Sequence, residues 1–119
     1  MIGPMTAAAI ERKAEMERAL GRIVANLVAR YRPRCIILFG SLARGECSEG
    51  SDIDLCVIKE TDAPFLKRLD EVREAADTPV AQDLVVYTPD EWRQMIRERN
   101  YFIVDEILGA GKILYGNPD

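Results

Sequence analysis

The sequence predicts a single α/β domain, a small mixed sheet of three or four strands with helices packed on it. Three observations carry that reading. Short apolar runs suited to strands, CIILF (35–39), LCVI (55–58), VAQDLVVY (80–87) and KILY (112–115), alternate with segments of helical period. Pro33, Pro64, Pro79 and Pro89 fall at the joints between these segments, where a residue without an N–H does least harm. The chain has 119 residues, 48% of them hydrophobic, enough for one core. It shows no repeat, low-complexity segment or linker, so residues 1–119 read as one domain.

Residues 6–31 read as a helix, because Leu20, Ile23, Val24, Leu27, Val28 and Tyr31 recur at three- and four-residue steps and form one apolar stripe. Pro33 ends it. Arg30, Arg32 and Arg34 at that end either contact phosphates or, as the preferred reading, are solvated charges that complement the helix dipole. CIILF is uninterrupted apolar, as expected of a strand covered on both faces. LCVI ends near Lys59, and Asp62 with Pro64 opens a second helix whose buried face holds Phe65, Leu69, Val72 and Ala76, closed by Thr78-Pro79. Next comes VAQDLVVY, with Asp83 near its start. TPDEW is a strong helix start: Thr88 caps, Pro89 takes the first helical position and Glu91 completes a capping box. Trp92, Met95 and Ile96 form that helix's apolar face, and a short helix over 100–108 leads to a last strand, KILY. Trp92, Tyr101 and Phe102 read as core residues in preference to a partner-binding patch.

The chemistry lies in residues 38–57, LFGSLARGECSEGSDIDLCV, which read as strand, glycine-containing loop and strand. Residues two apart in a strand share a face, so Asp52 and Asp54 project together with Cα atoms roughly 6–7 Å apart, while Ile53 and Leu55 face the core. Two carboxylates so placed repel. They need raised pKa values or a cation between them, and oxygen donors suit Mg²⁺. Gly40-Ser41 can bring backbone N–H groups and a hydroxyl close to a triphosphate, with no side chain at position 40 to obstruct the phosphates. Neither the lysine-containing phosphate loop nor the three-glycine dinucleotide fingerprint is present.

GSLARG, five further residues, then SDIDL resembles the signature of the polymerase beta nucleotidyltransferase superfamily, in particular its smallest branch, the minimal nucleotidyltransferases. The resemblance implies a polymerase-beta-like nucleotidyltransferase fold and a third carboxylate on a later strand, which Asp83 of QDLVVY supplies. It implies that Asp52, Asp54 and Asp83 are the catalytic residues and hold two Mg²⁺ ions, with Gly40, Ser41, Arg44 and Ser51 around the nucleotide, ATP. Arg44 either neutralises phosphate or holds the loop through an ion pair, and Ser51 supports the loop. Members of this branch pair with a helical HEPN-domain toxin and act as its antitoxin. The implied activity is therefore AMP transfer from ATP to a hydroxyl of that partner.

Composition narrows the alternatives. With 16 basic and 20 acidic residues, a net charge of −4 and a pI near 4.9, the chain lacks the basic excess expected of a protein that grips a nucleic-acid polymer. It has no histidine, so base catalysis at neutral pH falls to a carboxylate or to a metal-lowered hydroxyl pKa. Cys35, Cys47 and Cys56 are odd in number and form no CxxC pair, which points to free thiols and a cytoplasmic location rather than a zinc site or disulfide framework. No signal sequence or membrane-spanning run is read. Two other functions stay open: a binding module that neutralises a partner by contact, and a small-molecule nucleotidyltransferase acting as a homodimer. The assembly expected is a homo- or hetero-oligomer.

Overall fold

A computed structural model describes residues 6–46 and 52–118. Helix α1 (Ala7–Asn26) starts at Thr6, whose hydroxyl accepts the Ala9 N–H at 3.1 Å. It continues into a wider, π-wound turn, Leu27–Tyr31, and ends where Arg32 takes the left-handed conformation (φ 54°) and bonds back to the Leu27 carbonyl. The predicted apolar stripe is the one that packs: Ile23, Leu27 and Tyr31 are buried, with Leu20, Val24 and Val28 beside them.

Strand β1 (Cys35–Phe39) is buried along its whole length and leads into α2 (Gly40–Ala43), a single helical turn where a plain loop was expected. Strand β2 (Ile53–Ile58) returns antiparallel to β1, and α3 (Phe65–Ala76) carries the chain over to β3 (Gln82–Tyr87), which lies parallel to β2. Helix α4 (Pro89–Arg97) begins with the predicted capping box: the Thr88 hydroxyl accepts the Glu91 N–H, and the Glu91 carboxylate accepts the Thr88 N–H at 2.8 Å. A π-wound helix, α5 (Phe102–Gly109), then leads to β4 (Lys112–Gly116), antiparallel to β1 on its free side. The sheet order is β3-β2-β1-β4, mixed and four-stranded.

The two-residue period of the strands divides the core in two. Ile36, Leu38, Ile53, Leu55, Val57, Leu84 and Val86 meet α1 and α3 on one face. Cys35, Ile37, Phe39, Cys56 and Ile58 meet Trp92 of α4 and Ile103 and Ile107 of α5 on the other. Asp54 and Asp83 alternate with residues of the first face, so they belong to the second, at the end of the sheet where β1 finishes.

Two expectations are corrected. Phe65 is 40% exposed, lying against Tyr87 with ring centroids 6.2 Å apart, and the buried position one turn further along α3 is taken by Arg68. An arginine can sit there because its polar atoms are served: it donates to the Ala63 carbonyl (2.7 Å), the Val86 carbonyl (3.3 Å) and the Glu91 carboxylate (2.7 Å). The three aromatic residues also divide. Trp92 is fully buried, whereas Tyr101 is mostly exposed and Phe102 is partly so.

The Arg68–Glu91 pair ties α3 to the cap of α4. Burial alone would raise the Glu91 carboxyl, but the hydrogen bonds from Arg68 and Thr88 outweigh it and hold the group below its ordinary value. Arg68→Ala should lower the unfolding free energy by about 2–3 kcal/mol at neutral pH, toward the low end for a buried pair because Glu91 is partly solvated. Since a depressed carboxyl stabilises only above its unfolded pKa, that loss should shrink as pH falls through the acid range. Urea unfolding of both proteins at neutral and acid pH measures it.

Candidate active site

The hairpin β1–β2 sets Phe39 opposite Asp54, and the parallel pairing of β2 with β3 sets Asp54 directly beside Asp83. Neighbouring strands are about 4.8 Å apart, so these two carboxylates start from adjacent backbones and project to the same side. Asp52 lies two residues before Asp54, just ahead of β2, and is half-buried, as Asp54 is; Asp83 is exposed. Ile53 and Leu55 are buried in the opposite face, as the alternation requires. The sequence pattern could not supply the Asp54–Asp83 register, since the two positions are separated by a whole helix and two turns.

The three charges act on one another. Burial pushes the Asp54 carboxyl above its ordinary value, the charges of Asp83 and Asp52 add to that, and Arg44 opposes it. The donor set is all oxygen, half-exposed and in excess of negative charge, which fits a hard divalent cation. Among the described residues, no group of three or more acidic or thiol side chains is gathered closely enough to enclose a metal as it stands.

Gly40 is also constrained from within the fold. Its φ is +75°, and a Cβ built on it would overlap the Asp54 carboxylate rather than enter open loop space. Glycine here lets the chain turn sharply out of β1 while Asp54 lies against its Cα. The next residue, Ser41, is half-buried in α2, the first turn of which leaves backbone N–H groups without intrahelical acceptors.

Arg44 caps α2 at the same end of the sheet. Its guanidinium is 3.7 Å from Glu46 and 3.7 Å from Glu106 of α5, both beyond hydrogen-bond length. Glu106 carries no signal in the sequence. It comes to the site because α5 is pinned there: Ile103 and Ile107 are buried, and the Phe102 ring stands edge-on to Phe39 at 5.4 Å. Ser51 and Cys47 lie outside the described residues, while Cys35 and Cys56 are buried free thiols. Of the cluster Arg30, Arg32 and Arg34, Arg34 donates its backbone N–H to the Ile58 carbonyl at the other end of the sheet, about 13 Å along the strand from Asp54, and Arg30 is ion-paired with Asp77 at 3.1 Å rather than merely solvated.

Two consequences can be measured. Because the folded-state carboxyl of Asp54 is raised, the fold carries its repulsion above that pKa and is relieved of it below the ordinary carboxylate value. Asp54→Asn should therefore melt higher than the unaltered protein at pH 7 and no higher near pH 3, which thermal unfolding at the two pH values checks. Gly40→Ala combines a left-handed backbone strain of about 1–2 kcal/mol with displacement of the Asp54 carboxylate. The variant should stay folded by circular dichroism and bind Mg²⁺ with adenine nucleotide at least tenfold more weakly by calorimetry, about 1.4 kcal/mol.

Comparison with known proteins agrees with this arrangement. The polymerase beta nucleotidyltransferase pattern matches residues 22–119. A candidate protein adenylyltransferase of Methanocaldococcus jannaschii is 42% identical over 102 residues, covering 83% of this chain and 97% of its own. A probable protein adenylyltransferase of Haemophilus influenzae, MntA, is 32% identical over 104 residues, covering 83% of this chain and 87% of its own. Among solved structures, a candidate nucleotidyltransferase of Sulfolobus solfataricus superposes with a TM-score of 0.67 at 19% identity, over 98% of this chain and 94% of that one. A toxin–antitoxin structure with AMP-PNP superposes with a TM-score of 0.53 at 22% identity, over 82% of this chain and 73% of that one. At such identities the two structures speak for the fold, and the sequence relatives speak for the lineage. With its aspartates set around a glycine turn on this sheet, the chain belongs to the polymerase beta nucleotidyltransferase family.

Proposed function

We propose that this protein transfers AMP from ATP to a hydroxyl group of a partner protein, and that the partner is the HEPN-domain toxin of a toxin–antitoxin pair in which this chain is the antitoxin. The observation that carries the reading is the pairing of Asp54 with Asp83 beside the Gly40-Ser41 turn, a carboxylate cluster next to a backbone that can approach phosphates. The names of the two sequence relatives, both protein adenylyltransferases, favour a protein acceptor. The toxin–antitoxin structure with AMP-PNP favours ATP and a toxin partner.

In this reading Asp52, Asp54 and Asp83 would hold two Mg²⁺ ions, and those ions would supply charge to neutralise the triphosphate and to lower the pKa of the attacking hydroxyl. Gly40 and Ser41 orient the β and γ phosphates, and Arg44 offers a cation at their rim. Asp83, exposed at the start of β3, takes the proton of the incoming hydroxyl. The hydroxyl oxygen bonds to the α-phosphorus, the bond from that phosphorus to the bridging oxygen breaks, and pyrophosphate leaves with the electron pair. Among the described residues no helix is long and apolar enough to cross a membrane.

The test is to mix the protein with its cognate toxin, ATP and Mg²⁺ and weigh the toxin intact: it should gain the mass of one or more AMP groups. Asp83→Ala should still capture the toxin in a pull-down, because a standard interface of about 800 Å² per partner exceeds the area of three carboxylates, yet transfer should fall by roughly 10²-fold or more. If the toxin never gains mass and the variant neutralises it fully, the protein works by contact alone.

A further inference from the structure

We infer that Glu106 is a positioning residue for the nucleotide site: with Glu46 it holds the Arg44 guanidinium to one side of the aspartates, so that the cation meets phosphate instead of occupying the place of Mg²⁺. The inference rests on the nucleotide reading above and adds to it a residue on a different element.

Arg44 stands at the end of α2, close enough to the aspartates for its charge to act on Asp54. An arginine whose charge reaches Asp54 has an alternative to binding a ligand: it can swing onto that carboxylate, where a charge-assisted pair would compete directly with a divalent ion. Two other carboxylates, Glu46 and Glu106, attract it instead. Glu46 is two residues away, on an exposed part of the same loop. Glu106 stands on a different element. It belongs to α5, which is locked against β1 by buried Ile103 and Ile107 and by the contact of Phe102 with Phe39, the residue opposite Asp54. Glu106 is therefore the fixed anchor of the three groups.

The distances suit this task. At 3.7 Å the guanidinium is attracted by both glutamates but closed onto neither, so its planar donor fork can be drawn to a phosphate without first breaking a short bidentate pair. Both partners of the Arg44–Glu106 pair are partly exposed, with side-chain exposures of 43% and 38%, so the pair is weak enough to yield. A tight buried ion pair would have made Arg44 purely structural. A missing one would have left it to the aspartates. The π winding of α5 bears on the same point, since such turns shift side chains around a helix axis and recur at functional sites.

The experiment is a double-variant cycle read by calorimetric binding of Mg²⁺·AMP-PNP, which needs no turnover. Glu106→Gln keeps the shape of the side chain and removes its charge. It should weaken binding about fivefold, the size of one partly exposed ion pair, and raise the Mg²⁺ concentration needed for half-saturation by a similar factor. In an Arg44→Ala background the same substitution should change binding by less than about 1.5-fold, because no guanidinium remains to be held. An equal loss in both backgrounds would mean that Glu106 acts independently of Arg44. No loss in either, or tighter binding by Glu106→Gln alone, would mean that Arg44 needs no restraint. Each result overturns the inference. If the unaltered protein does not bind Mg²⁺·AMP-PNP, the nucleotide reading itself falls, which the first titration reveals before any variant is made.

Discussion

The site depends on the place of β2 in the sheet. This strand pairs antiparallel with β1 on one side and parallel with β3 on the other, so Asp54 has Phe39 and the Gly40 turn on one flank and Asp83 on the other. A slip of one residue in either ladder would send an aspartate into the face covered by α1 and α3 and bring an isoleucine or leucine to the loop. The apolar cost of such a slip is large, because Ile53, Leu55 and Val57 are all fully buried. Core packing thus enforces the geometry of a polar site that by itself is repulsive.

That repulsion is the second physical theme. Three carboxylates at one end of a sheet oppose folding, and the fold accepts them because the end is open to water and one cation, Arg44, lies nearby. The same arrangement makes the site responsive to positive charge. This suits a nucleotidyltransferase, since the triphosphate such an enzyme handles is itself an anion that bare carboxylates would repel.

The opposite end of the sheet shows what a structural charge looks like by contrast. Arg68 is 7% exposed and spends its donors on two carbonyls and Glu91 at ordinary hydrogen-bond lengths. Arg44 is more exposed and is held only at 3.7 Å from each of its two glutamates. A guanidinium whose donors are committed to the protein supports the fold, whereas one held loosely at the mouth of a site can exchange partners.

Much of this was legible in the order of residues. The period of the α1 stripe, the apolar run of β1, the capping box at Thr88 and the spacing of Asp52 and Asp54 are all local patterns, set within a turn or two of chain by backbone geometry and side-chain polarity. The motif 40–55 with Asp83 also carried the family, because nucleotide chemistry demands particular residue types at particular steps. The register that sets Asp83 beside Asp54, the burial of Arg68 in place of Phe65, the overlap that forbids a Cβ at position 40 and the arrival of Glu106 beside Arg44 were decided only in three dimensions. Each joins residues from separate elements, and such pairings follow from how whole faces pack against one another, which no local run of side chains specifies.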